Sequence, residues 1–107
     1  MSEWVTVGAH AGFAPGALRA VLKRGVRLVV GRGDAGFFAL DGICPHAGAV
    51  LADGMLDGDL LICPLHAFTF ETASGRCVDD EGCSLRRYDV RQSDDALEVR
   101  LGLKNAG

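Results

Sequence analysis

Residues 43–68, ICPHAGAVLADGMLDGDLLICPLHAF, contain two short groups of metal-binding residue types. The first group is CPH at 44–46, and the second is CPLH at 63–66, with sixteen residues between them. Thiolate sulfur and imidazole nitrogen are common ligands of zinc and iron in proteins. The stretch therefore predicts a metal centre held by two loops. The candidate ligands are Cys44, His46, Cys63 and His66.

The distribution of these ligands leaves two kinds of centre open. A zinc finger usually takes two cysteines from one arm and two histidines from the other, or two pairs of cysteines. Here each loop supplies one cysteine and one histidine, in the spacings C-x-H and C-x-x-H. Four such ligands would close a tetrahedral zinc site, and they equally suit a two-iron cluster bound by both loops.

Length and composition restrict the class of protein. The chain has 107 residues, enough for one domain with a core, and 49% of them are hydrophobic, which argues against disorder. The formal net charge of −3 argues against a nucleic-acid binder. The sequence has no apolar run of the ~18 residues that suggest a transmembrane helix, and residues 1–10 lack the pattern of a signal peptide. We therefore expect a cytoplasmic protein that binds neither nucleic acid nor membrane, with cysteines that bind metal or stay buried as thiols.

Short β-strands are predicted along most of the chain, which fifteen glycines divide into segments. The predicted strands are Trp4–Val7, Ala17–Leu22, Val26–Gly31, Phe37–Leu40, Leu60–Cys63, Phe68–Glu71, Leu85–Arg91 and Leu97–Leu101. The composition of Ala17–Leu22 also suits a helical turn. The close spacing of strands and turns favours an all-β sandwich or small barrel built from antiparallel hairpins.

The ligand groups and their surroundings resemble the Rieske iron–sulfur family. The resemblance covers 37–75, FFALDGICPHAGAVLADGMLDGDLLICPLHAFTFETASG, in the family's order of strand, first loop, hairpin, second loop, strand and turn. It includes Pro45, Pro64 and Gly48, of which the prolines restrict the backbone and the glycine permits positive φ. The resemblance implies a Rieske-type antiparallel β fold in one domain, 1–107. Its two-loop cluster-binding part would span about 43–84, and its basal part about 1–42 and 85–107.

The resemblance also implies a role for each candidate ligand. Cys44 and Cys63 would bind the inner iron of one [2Fe–2S] cluster per chain, and His46 and His66 would bind the outer iron through Nδ1. Neutral imidazoles in place of two thiolates remove negative charge from the cluster, so adding an electron costs less and the potential rises. The exposed edges of the imidazoles would be the exit of the electron.

Four positions that are not ligands indicate a low potential within the family. High-potential members carry an extra, disulfide-linked cysteine in each loop, where this chain has Ala49 and Leu65. They also have serine and tyrosine hydroxyls that donate to sulfur, where this chain has Phe68 and Phe70. We therefore expect a ferredoxin-type centre near the bottom of the roughly −150 to +300 mV Rieske range.

The stretch 74–88, SGRCVDDEGCSLRRY, replaces the proline-containing third loop of many ferredoxins and is more similar to the small subunit of assimilatory nitrite reductases. Its Cys77 and Cys83 lie outside the ligand pattern. We interpret them as buried thiols, with a disulfide, or a position of Cys83 beside the cluster, as alternatives. Carboxylates near the predicted iron site are either solvated loop residues or a rim that attracts a basic partner. They are Asp53, Asp57, Asp59, Asp79, Asp80 and Glu81.

Three functions remain open at this point. The chain is interpreted first as a one-electron carrier that passes electrons from a flavin-dependent reductase to a terminal oxygenase. The alternatives are the small subunit of a nitrite reductase, bound to its large subunit, and a zinc-stabilised structural domain. No active site is expected, because only His10 remains for a mononuclear iron site that needs two histidines, and we expect His10 at the surface. A glycine-rich nucleotide fingerprint is also missing from the sequence.

Overall fold

The computed structural model describes residues 3–45, 48–65, 67–79 and 82–102, which form an all-β structure as expected. The strands are β1 Trp4–Ala9, β2 Leu18–Lys23, β3 Val26–Gly33, β4 Gly36–Asp41, β5 Met55–Asp57, β6 Leu60–Ile62, β7 Thr69–Glu71, β8 Arg87–Ser93 and β9 Ala96–Arg100. Helical structure in this part of the chain is limited to two 3₁₀ turns, His10–Gly12 and Leu51–Asp53. Neither 3₁₀ turn was predicted from the sequence, whereas β5 and β6 form the hairpin that the resemblance placed between the two loops.

Six of the strands form one antiparallel sheet, in the order β1-β9-β8-β4-β3-β2. The sheet is nearly closed and resembles a barrel, which confirms the predicted small-barrel architecture. The segment whose composition also suited a helical turn is strand β2. It pairs with β3 over its full length, from Leu18 opposite Gly31 to Lys23 opposite Val26. The remaining strands form a small antiparallel sheet in the order β5-β6-β7.

Strands β3 and β4 are buried on both faces. One face packs into the core of the large sheet through Leu28, Val30 and Ala39. The other face packs against the small sheet through Val29, Phe38 and Leu40. This arrangement explains the continuous apolar run in β3, because a half-exposed strand would alternate apolar and polar residues. Strand β9 shows that alternation, since Leu97 and Val99 are buried whereas Arg100 is exposed.

The core between the two sheets contains all four cysteines. Their buried apolar neighbours in this core are Val29, Phe38, Leu40, Leu51, Leu61, Phe70 and Leu85. Leu51, Leu61 and Phe70 are fully buried, and burial of each such side chain stabilises the fold by roughly 1.5–3 kcal/mol. The loops that carry the cysteines are therefore anchored in the main body of the protein.

Asp59, in the turn between β5 and β6, joins the small sheet to the large one. Its Oδ1 accepts a hydrogen bond of 2.9 Å from the backbone N–H of Ala35, in the β3–β4 turn. Its carbonyl accepts from both the hydroxyl and the backbone N–H of Thr72, at 2.9 and 3.1 Å. One residue thus holds the end of the small sheet against the tip of the β3–β4 hairpin.

Asp41, at the end of β4, forms a second connection, between β4 and β8. Its Oδ1 accepts a hydrogen bond of 2.8 Å from the Tyr88 hydroxyl, and its Oδ2 accepts one of 3.1 Å from the Arg86 backbone N–H. Burial and the Asp41 carboxylate raise the pKa of Tyr88 to about 12, so its hydroxyl stays protonated and continues to donate. The chain enters the first candidate loop directly after this anchored carboxylate.

Among the described residues, no helix has the length and hydropathy that a bilayer crossing requires. The division into a basal part and a cluster-binding part at 43 and 84 stays a prediction of the sequence.

Candidate metal centre

Cys44 and Cys63 lie at the starts of two loops, after β4 and β6 respectively. Their side chains are buried, at 1% and 2% exposure, and share the core between the sheets. The Cys44 thiol is close enough to Cys63 to raise the pKa of that thiol, so the structure brings these two candidate ligands together. The folded chain therefore presents a pair of adjacent sulfur donors.

The two loops close in the same way. The backbone N–H of Cys44 donates to the carbonyl of Ala49 at 2.9 Å, and that of Cys63 donates to the carbonyl of Phe68 at 2.8 Å. Each acceptor lies five residues after its cysteine. In each loop the residue four positions after the cysteine has positive φ, namely Gly48 at 71° and Ala67 at 54°. CPHAGA and CPLHAF are thus two copies of one turn, each with a proline directly after the cysteine.

The surroundings of the sulfur pair disfavour two thiolates without a compensating cation. Burial raises the pKa of the Cys63 thiol, the backbone of Leu65 lowers it, and the neighbouring Cys44 thiol raises it again. Two adjacent negative sulfurs in an apolar core repel each other, whereas a bound metal ion offsets their charge and deprotonates coordinating thiols. The donor set therefore fits a thiophilic metal or an iron–sulfur cluster.

The other two candidate ligands, His46 and His66, lie outside the described residues. In the described part of the chain, no group of three or more metal-binding side chains is found. The described neighbours Pro45 and Pro64 are exposed, so the loops rise from a buried cysteine to a solvent-facing tip. The assignment of the two histidines as ligands stays a prediction. The remaining histidine, His10, is half-buried and shares a hydrogen bond with the Asp94 carbonyl.

Three of the four side chains from which the sequence predicts a low potential lie in or against the core that contains the cysteines. Phe70 is fully buried in the same core as Cys44 and Cys63, and Phe68 and Ala49 pack against that core. Leu65 is half-exposed at the loop tip. None of these four side chains carries a hydroxyl or thiol that could donate to sulfur or form a disulfide between the loops.

The third loop brings two further cysteines close to the candidate centre. Cys77 and Cys83 are 2% and 6% exposed and belong to the same core as Cys44 and Cys63. The interpretation of both as buried thiols is confirmed, and the structure contains no disulfide between them.

Comparison with known proteins identifies the family. The model of the Rieske [2Fe-2S] domain matches residues 3–89. The chain belongs to the Rieske [2Fe-2S] family. Membership in this family favours the two-iron cluster over zinc as the group that the two loops hold.

Two Rieske relatives differ in how much of their length this chain matches. Ferredoxin CarAc of Metapseudomonas resinovorans is 37% identical over 73 residues, which are 67% of this chain and 68% of that protein. Cholesterol 7-desaturase of Hemicentrotus pulcherrimus is 37% identical over 78 residues, which are 71% of this chain but only 17% of the desaturase.

Two solved structures with the Rieske fold match nearly the whole chain. A chain of the complex of reduced oxygenase and oxidized ferredoxin in carbazole 1,9a-dioxygenase has a TM-score of 0.81 and 31% identity, covering 90% of this chain and 91% of that one. A structure described as the small subunit of an NADH-dependent nitrite reductase from Mycobacterium tuberculosis has a TM-score of 0.86 and 26% identity, covering 94% and 96%. These matches confirm the predicted Rieske-type fold.

Ala67 is the feature of the site that the sequence analysis missed. Alignment of CPHAGA with CPLHAF places Ala67 opposite Gly48, and this was the available signal for its left-handed conformation. A non-glycine residue in that region costs roughly 1–2 kcal/mol. The second loop therefore stores local backbone strain directly after His66.

We predict that Ala67→Gly stabilises the protein. The substitution relieves the left-handed strain, partly offset by the greater freedom of glycine in the unfolded chain, for a net gain of about 0.5 kcal/mol. Thermal unfolding of the cluster-loaded protein under anaerobic conditions should show a midpoint roughly 2–4 °C higher.

Two substitutions serve as controls. Gly48→Ala, at the equivalent position of the first loop, should lower the midpoint, although no atom lies within 4 Å of the added Cβ. Ala20→Gly, at an exposed position of β2, should also lower it. If Ala67→Gly lowered the midpoint as much as Ala20→Gly does, the strain would be disproved.

Proposed function

We propose that this chain is a Rieske-type ferredoxin, a one-electron carrier that passes electrons from a reductase to a terminal oxygenase. The observation that carries the proposal is the adjacent pair of buried thiols in two matched loops, on a chain that matches ferredoxin structures over nearly its full length. The predicted class, an electron carrier rather than an enzyme, is confirmed by relatives that are ferredoxin components of oxygenase systems.

One [2Fe–2S] cluster per chain is held by Cys44, Cys63, His46 and His66. Membership in the Rieske family supports the kind of cluster, and the geometry of the sulfur pair supports the cysteine ligands. The bound cluster supplies a site that accepts and releases one electron. The protein keeps the sulfurs buried against Leu61 and Phe70, which excludes water from that side.

The reduction potential is low for the family. Negative charge on the reduced centre is stabilised by hydrogen bonds to the sulfurs, and hydroxyl donors are absent at Phe68 and Phe70. Phe70 also contributes an apolar wall that penalises added charge. Both effects lower the potential relative to members with serine and tyrosine at these positions.

The distribution of charge favours partners with a basic docking surface. Residues 43–84 contain seven carboxylates and one cation, for a net charge of −6, whereas the rest of the chain contains ten cations and seven carboxylates, for +3. Asp53, Asp57 and Asp79 are exposed in the structure. A carrier with this asymmetry turns its cluster end toward a positive surface during encounter.

The proposed partners are a flavin-dependent reductase and a terminal oxygenase. A ferredoxin and an oxygenase form a complex in the similar carbazole 1,9a-dioxygenase structure. The large excess of carboxylates in 43–84 and the lack of a membrane-crossing helix in the described residues support partners that are neither nucleic acid nor membrane. We place the chain in the cytoplasm, where four unlinked cysteines are usual.

The small subunit of a nitrite reductase is the second candidate. Two observations favour it: the third-loop sequence around DDEGC, and the similar fold of the nitrite reductase small subunit over 94% of this chain. Reconstitution with a reductase and a terminal oxygenase separates the two candidates. A carrier for an oxygenase restores oxygen-dependent turnover when this chain is present at a concentration well below that of the oxygenase. A nitrite reductase subunit instead co-purifies stoichiometrically with a large subunit.

We expect the purified protein to contain two irons and two acid-labile sulfides per chain, with the visible and EPR spectra of a Rieske cluster. His66→Ser should abolish these spectra, because one iron loses a ligand. Cys83→Ser is the matched control and should retain them, because Cys83 lies in the same core but is not a proposed ligand. Stoichiometric zinc after anaerobic purification, or loss of the spectra in Cys83→Ser, would contradict the assignment.

We expect a midpoint potential below zero, toward the lower end of the roughly −150 to +300 mV Rieske range. Protein-film or solution voltammetry at neutral pH measures it directly. Phe70→Tyr should raise the midpoint by tens of millivolts if its hydroxyl donates to a ligand sulfur. Phe37→Tyr, in β4 and packed against the core of the large sheet, is the control and should leave the midpoint unchanged. A wild-type midpoint well above zero would overturn the low-potential proposal.

We expect the rate constant of reduction by the flavin-dependent reductase to fall as ionic strength rises, because opposite charges steer the encounter. Asp57→Asn, in the cluster-binding part, should slow reduction at low salt by two- to tenfold. Asp95→Asn makes the same change of charge at an exposed basal position and should have little effect. A rate independent of salt would exclude steering by the acidic surface.

A further inference from the structure

Cys77 and Cys83 form a pair of buried thiols that the proposed cluster does not use. Both lie in the third loop, and both side chains point into the core between the two sheets. Their neighbours Arg76, Val78, Gly82 and Ser84 are exposed, which agrees with alternation along two short extended segments. The two thiols therefore lie on the inner face of one two-stranded ribbon, formed by the short antiparallel segments around Arg76 and Ser84.

The register of this ribbon places the two cysteines opposite each other. Arg76 pairs with Ser84 in an antiparallel bridge, and the Leu85 backbone N–H donates to the Gly75 carbonyl at 2.7 Å. One step further along, this register aligns Cys77 with Cys83. Opposed residues in antiparallel strands have Cα atoms about 4.5–5.5 Å apart. This separation lies within the roughly 4.4–6.8 Å that a disulfide requires.

Contacts with β7 fix the first segment of the ribbon. Cys77 bridges to Phe70, and this bridge is flanked by hydrogen bonds from Val78 N–H to the Thr69 carbonyl and from Glu71 N–H to the Arg76 carbonyl, at 2.9 and 2.8 Å. Gly75 holds the turn, because a Cβ there would lie 2.0 Å from the Leu85 carbonyl oxygen. The alignment of the cysteines is thus imposed by the fold around them.

From this alignment we propose that Cys77 and Cys83 are a dithiol oxidation site, at which a peroxide converts the two thiols into an intramolecular disulfide. One thiolate attacks a peroxide oxygen and breaks the O–O bond, giving a sulfenic acid and, with hydrogen peroxide, one water. The second thiol attacks the sulfenic sulfur, forms the S–S bond and releases a second water. The two sulfurs together lose two electrons and two protons, and the peroxide gains them.

The position of the pair relates this oxidation to the cluster loops. The disulfide would close a seven-residue ring, 77–83, that contains Asp79. Asp79 Oδ2 accepts a hydrogen bond of 2.8 Å from the backbone N–H of Thr69, directly after the second candidate loop. Oxidation therefore restrains the segment that packs beside that loop, and a dithiol reductant reverses it by thiol–disulfide exchange.

Because Cys77 and Cys83 are buried, the proposed oxidation would require the described chain beside them to open locally. Val78 is 49% exposed and Gly82 is also exposed, so the segment between the two cysteines contacts solvent next to each of them. Such loops open at much lower free energy than the core. Cys44 and Cys63, by contrast, would be bound to iron under the proposed function, so they would not be available as free thiols.

Peptide mapping of the cluster-loaded protein tests the proposal, independently of any redox partner. The protein is treated anaerobically with equimolar hydrogen peroxide, quenched with catalase, denatured, alkylated and digested with trypsin. Residues 77–86 form one tryptic peptide and residues 33–76 another, so the two cysteine pairs separate cleanly.

We expect peptide 77–86 to be lighter by two hydrogens and not alkylated, whereas peptide 33–76 takes two alkyl groups. The visible spectrum of the cluster should persist, and dithiothreitol should restore both thiols of 77–86. The Cys77→Ser variant should not show the loss of two hydrogens, and the wild-type digest decides the question even if this variant fails to fold.

Three results would overturn the proposal. Peptide 77–86 could take two alkyl groups after peroxide, a disulfide could join it to peptide 33–76, or the cluster spectrum could disappear before 77–86 is oxidised. Failure of the electron-carrier proposal would instead appear in metal content and reconstitution, which this digest does not measure.

Discussion

Burial of the β3–β4 pair on both faces is the constraint on which the remaining structure depends. Because one face of this pair fills the core of the large sheet, that sheet can close around it. Because the other face is equally apolar, the chain must supply a second layer to cover it. The small sheet and the three loops around it supply that layer. The candidate metal centre lies there because its cysteines complete a core that the basal strands already require.

The matched closure of the first two loops makes that layer a binding site. Each cysteine donates its backbone N–H five residues forward, and each loop reverses direction through one left-handed residue. Two copies of one turn bring one buried sulfur from each copy into the same core, close enough for the Cys44 thiol to raise the pKa of Cys63. Two adjacent thiols in apolar surroundings are poor anions by themselves, so the same geometry that brings them together favours a bound cation.

The third loop packs beside the candidate metal centre and against the small sheet. Through Cys77 and Asp79 it contacts Phe70 and Thr69 of β7, the strand that follows the second loop. Its acidic residues add to the negative charge of the cluster-binding part, and its two thiols lie in the same core as the candidate ligands. Electron transfer and sensitivity to oxidation would therefore share one structural element.

The sequence by itself determined the class of the fold, and it supplied the two candidate ligand groups and the prediction of a low potential, because these depend on residue type and spacing along the chain. It left Ala17–Leu22 ambiguous between strand and helix, since ALRAVL suits both locally and only pairing with β3 resolves it. It missed the left-handed conformation of Ala67, which the closure of its loop imposes. The alignment of Cys77 with Cys83 was likewise decided by the tertiary structure, because the register of two segments depends on hydrogen bonds to strands that are distant in the sequence.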